Sequence, residues 1–80
     1  MEIHETQQML KVLKDLIWLN GIIATELIQI TENTSAAIRG EIPRGCKIEH
    51  NKLREQAIEI VSRHCPEKAR SLKDHILKHS

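Results

Sequence analysis

Phenylalanine and tyrosine are absent from this chain, and Trp18 is its only aromatic residue. Strands draw on aromatic and β-branched residues and need turn signals at short intervals. Here three of the five glycines and prolines fall between residues 40 and 45, which leaves the rest of the chain without such signals. Sheet architectures are thereby excluded, and an all-α fold is expected.

Cysteine is equally scarce. Cys46 and Cys65 are too few for the disulfide scaffold of a small secreted domain. The opening MEIHETQQML is acidic and polar where a signal peptide would carry a basic stretch and an apolar core. No apolar run approaches the roughly 18 residues needed to span a bilayer. The basic C-terminal segments also lack the aromatic and leucine-rich face of interfacial helices. A cytoplasmic protein with reduced thiols and no membrane partner is the expectation, so the Asn33-Thr34-Ser35 sequon has no use.

Catalytic signatures are missing too. No P-loop, dinucleotide-binding glycine fingerprint or His-Glu-x-x-His motif occurs. Cys46 sits beside Lys47 with Arg44 near it, an electropositive setting for a thiol, but nothing marks the oriented base and oxyanion donors a nucleophile requires. Neither enzyme activity nor a cofactor is expected.

What is present is a long repeat. Met9, Leu13, Leu16, Asn20, Ile23, Leu27, Ile30, Thr34 and Ala37 follow one another at steps of four and three without an error. That is the seam of a helix that packs against another helix. An unbroken helix over 5–39 would be roughly 50 Å long. One domain of 80 residues is too small to cover it, and small cores of this size are marginal alone. Self-association as a homodimer or higher oligomer is therefore expected, with Leu13, Leu16, Asn20, Ile23, Leu27 and Ile30 as its seam. Further apolar residues at Leu10, Val12, Ile17, Ile22, Ala24, Ile28 and Ile38 widen the stripe.

Asn20-Gly21 admits two readings. Asn-Gly is a strong turn dipeptide, so the chain could fold into a helical hairpin there. Alternatively Asn20 is a polar seam residue that sets register and oligomer state, and the unbroken phase favours this. After Arg39, Gly40 and Pro43 end the helix. A connector over 40–50 is expected, then a helix over 51–64 capped by Asn51, then a helix over 66–79 with Pro66 in its first turn. Leu53, Ala57, Ile58, Ile60, Val61 and Cys65, and then Ala69, Leu72, Ile76 and Leu77, supply the buried faces. The whole of 1–80 reads as a single helical bundle.

Charge divides the chain. Residues 1–43 hold three bases and six acids, whereas residues 44–80 hold nine bases and five acids. A dimeric nucleic-acid-binding regulator that reads a groove with Lys68, Arg70 and Lys73 is one reading of that asymmetry. The positive balance is modest for such a role, and base-stacking aromatics are missing. The favoured reading is a non-enzymatic regulator, adaptor or inhibitor that binds a larger protein through Trp18, Arg44, Lys47 and the connector.

Two metal-ligand patterns remain. Cys46, His50, His64 and Cys65 form a two-Cys, two-His set of the kind zinc accepts. Adjacent His64 and Cys65 would point about 100° apart on a helix, so the expectation is no bound metal. His75 and His79 stand four residues apart, on what reads as a solvated face.

Overall fold

A computed structural model describes residues 3–79, with side chains up to residue 78. Three helices account for nearly all of it: α1 (Ile3–Arg39), α2 (Arg44–His64) and α3 (Pro66–His79). Among the described residues there is no strand, and no helix is long and apolar enough to cross a membrane. The all-α expectation is met.

α1 runs through Asn20-Gly21 without a break. Asn20 Nδ2 donates to the Leu16 carbonyl at 2.9 Å, so its side chain is bonded to its own helix and does not form a turn. Gly21 is buried where the other two helices meet α1. A Cβ built there would stand 2.8 Å from Val61 Cγ2 and 3.6 Å from Leu72 Cδ2. Glycine is therefore a notch into which Val61 settles, and the close approach offsets the roughly 1 kcal/mol of helix propensity it forfeits. One turn later Thr25 Oγ1 donates to the Gly21 carbonyl at 2.9 Å.

α1 stops where expected. Gly40 has φ +81°, a left-handed conformation that side chains other than glycine's adopt poorly, and its N–H donates to the Ala36 carbonyl at 2.8 Å.

The connector is shorter than the sequence suggests. α2 begins at Arg44, so residues 44–50 are helical and Asn51 lies inside the helix, not at its cap. Pro43 occupies the capping position, where its missing N–H costs nothing, and its carbonyl accepts from Lys47 N–H at 3.0 Å. The early turns lack an apolar stripe because the face they dock is polar: His50 and Arg54 meet Glu32 of α1. At the other end a single residue, Cys65, joins α2 to α3, and Pro66 opens α3 in its first turn as expected.

The chain therefore runs up α1, back along α2 and forward again on α3. Its core is small: among the described residues Val61, Cys65 and Leu72 are the buried hydrophobic ones, with Ile17, Trp18, Ile22, Ile58 and Ile76 packed around them. Cys65 Sγ donates to the Lys14 carbonyl at 3.2 Å, which pins the α2–α3 junction to α1. Leu53, Ile60 and Leu77, expected inside, are 48%, 46% and 72% exposed, because three helices around one glycine notch enclose only a narrow strip. The particle measures 55 × 19 × 19 Å, with a radius of gyration of 15.6 Å. A compact domain of this length would have about 11.6 Å.

Replacing Gly21 tests the notch. Gly21→Ala should lower the unfolding free energy in urea by about 1–2 kcal/mol, although alanine is the better helix former, because the stiff Val61 side chain has no room to yield. Adding Val61→Ala to Gly21→Ala should make the glycine-to-alanine step neutral or stabilising.

Candidate functional site

α1 carries two stripes. Trp18, Gly21, Thr25 and Glu32 point toward α2 and α3, and Gly21, Thr25 and Glu32 are buried. The seam residues Leu13, Leu16, Ile23, Leu27 and Ile30 lie about 170° around the helix from them at 3.6 residues per turn. Each of these five is between 48% and 57% exposed, and Asn20 is exposed among them. The most regular aliphatic pattern in the chain thus faces away from its own core. Residues 3–16 are exposed throughout, so the first turns of α1 extend past the rest of the bundle.

A cleft of about 480 Å³ opens between the C-terminal half of α1 and the start of α2. Ile30, Ile38 and Ile42 line it together with Cys46 and His50. A second cleft, about 280 Å³, follows the α1–α2 groove past Ile17, Asn20, Ala24 and Ile60. Both border the exposed seam.

Sequence reasoning missed the strongest polar feature, which closes the floor of the first cleft. Arg54 pairs with Glu32 through both guanidinium NH groups, and the two side chains are 9% and 5% exposed. His50 Nδ1 donates to Glu32 Oε2 at 3.1 Å. Arg54 also donates to Asn51 Oδ1 at 2.8 Å and to Gln29 Oε1 at 3.4 Å. Burial pushes the Glu32 pKa up, but hydrogen bonds and charges from Arg54 and His50 outweigh it and hold the carboxyl below its usual range. The available signal was Glu32's place on the stripe through Trp18, Gly21 and Thr25, which repeats at steps of three, four and seven.

The remaining candidates are dispersed. Cys46 and Cys65 stand at opposite ends of α2, about 28 Å apart along the axis, so Cys46, His50, His64 and Cys65 cannot share one ion. No group of three or more potential ligands occurs among the described residues. His75 contacts Glu26 across the α1–α3 interface, and the side chain of His79 lies outside the described residues. Trp18, expected to bind a partner, turns toward the core. It packs on the core with Lys68 Nζ 5.5 Å from its ring centroid, a cation–π contact between α1 and α3. Lys68 and Arg70 lie about 160° apart around α3, so Lys68, Arg70 and Lys73 do not form one face. Arg44 and Lys47 are exposed in the first turn of α2.

No family model matches the chain, and neither a curated protein nor a solved structure matches it.

The buried pair makes two measurable demands. Arg54→Met leaves Glu32 buried with His50 as its remaining side-chain partner and should cost about 3 kcal/mol, whereas Glu32→Met with Arg54→Met should recover most of it. Because the folded-state pKa of Glu32 lies below its ordinary 4.5, the pair stabilises above about pH 4.5 and its contribution is lost as pH falls through the folded value. Acid unfolding curves of the double variant should therefore be flatter below that pH than those of the parent.

Proposed function

We propose that this protein is a non-enzymatic interaction module of the cytosol, which self-associates through the outward face of α1 and in that form regulates, adapts or inhibits a larger protein. One observation carries the reading: among the described residues fifteen large hydrophobic residues are exposed while three hydrophobic residues are buried. Eleven of the fifteen, from Ile3 to Ile38, lie on α1. Isolated exposed leucines are ordinary on protein surfaces, but a continuous aliphatic face along one helix marks a site of association.

The surface area supports it. The chain exposes 6205 Å². A folded monomer of this mass would expose about 4,900 Å². The excess of about 1,300 Å² exceeds the roughly 800 Å² each partner contributes to a standard interface. With α1 paired, Arg44 and Lys47 at the start of α2, and Arg70 and Lys73 on the outer side of α3, remain available to a further protein.

Light scattering tests the reading. The parent protein should be dimeric or larger at micromolar concentration, and Leu27→Asp should be monomeric with its helix content intact, since Leu27 is 57% exposed within the single chain. A parent protein that stays monomeric at about 100 μM would refute it.

A further inference from the structure

The exposed face is asymmetric along α1. At one end the first turns of the helix extend past the bundle, with Ile3, Met9, Leu10, Val12 and Leu13 all exposed and Leu10 on a different side from Val12. A partner touching only the seam would leave Ile3 and Leu10 in water. At the other end α1 offers an apolar cleft bordered by Ile30, Ile38 and Ile42, and Ile38 is 78% exposed. One end projects as a ridge, and the other opens a cleft.

Resting on the self-association proposed above, we infer that the second copy packs antiparallel, so that the N-terminal turns of each α1 fill the α1–α2 cleft of the other. In antiparallel pairs the two kinds of seam position alternate across the interface. One such register sets Met9, Leu13, Leu16 and Asn20 against the partner's Thr34, Ile30, Leu27 and Ile23. The same register puts residue 4 opposite the partner's residue 39, so the two helices, each Ile3–Arg39, overlap over their full length. On the flank facing α2 it brings Ile3 to the partner's Ile38 and Leu10 to the partner's Thr31. These are the residues a parallel pair would leave uncovered.

Charge favours the same direction. Glu5 lies in the first turn of α1 and Arg39 in its last. A parallel pair sets Glu5 beside Glu5 and Arg39 beside Arg39. The antiparallel pair sets Glu5 near the partner's Arg39 and lays the two helix dipoles side by side in opposite directions. The contact is isologous, as a two-fold dimer requires, and Asn20 of each copy lies in one of the two layers next to the axis.

Cross-linking decides the direction. In a Cys46→Ser background, Leu13→Cys and Ile30→Cys are mixed and mildly oxidised. The mixture should give a covalent dimer, and neither variant alone should. As a check independent of core positions, spin labels on Glu5→Cys should lie about 50 Å apart in the antiparallel dimer, at 1.5 Å per residue. Self-cross-linking of Leu13→Cys, with labels at position 5 closer than about 25 Å, would overturn the antiparallel arrangement and leave the proposed self-association standing. A monomer at about 100 μM by light scattering would overturn both.

Discussion

The fold turns on the absence of one side chain. At Gly21 the axis of α1 comes close enough that a Cβ there would stand 2.8 Å from Val61 Cγ2, with Leu72 of α3 3.6 Å away. This is the place where all three helices meet, and the buried hydrophobic residues Val61, Cys65 and Leu72 gather around it. The rotation of α1 about its own axis follows from it. With Gly21 turned inward, Thr25 and Glu32 turn inward too, and Leu16, Ile23, Leu27 and Ile30 turn out. An inward seam would put Leu16 or Ile23 at the crossing, where the close approach of Val61 and Leu72 leaves no room for such a side chain.

A notch lined by small residues encloses little apolar area, and the polar clamp around Glu32 complements it at the far end of the α1–α2 contact. Buried ion pairs seldom add net stability over a hydrophobic replacement, but an unpaired member is costly, so the clamp accepts one register of α2 on α1. Asn51 and Gln29 bind further guanidinium hydrogens, leaving no buried side-chain N or O without a partner among the described residues. Precision inside is achieved with glycine, threonine, glutamate and arginine. The aliphatic residues, which supply most of the free energy available from leaving water, stand largely outside.

That division explains which features could be read from the residues. The long helix, its end at Gly40, the start of α3 at Pro66 and the aliphatic seam were all legible, because each depends on local geometry or on a period of 3.5 residues. The start of α2 was not. Its first two turns hold Gly45 and mostly charged or polar residues, and they are helical because His50 and Arg54 have a carboxylate to meet on another helix. Trp18 was expected at a partner surface because aromatic anchors are common at interfaces, yet it serves the α1–α3 contact under Lys68. The Cys46/His50 and His64/Cys65 pairs resembled halves of a zinc site by residue type alone, and the continuous α2 holds them at its opposite ends.

By itself the sequence determined the helical class, the length of α1 and a continuous apolar seam, since backbone propensity, capping residues and hydrophobic periodicity act within a few residues of one another. Only the tertiary structure decided which face of α1 is the inside. Two stripes share that helix at the same spacing, one aliphatic and one of small and polar residues, and periodicity cannot rank them. The ranking comes from contacts between residues forty and more positions apart, Gly21 with Val61 and Leu72, where the closest approach of the backbones selects the smallest side chain and leaves the hydrophobic one facing out.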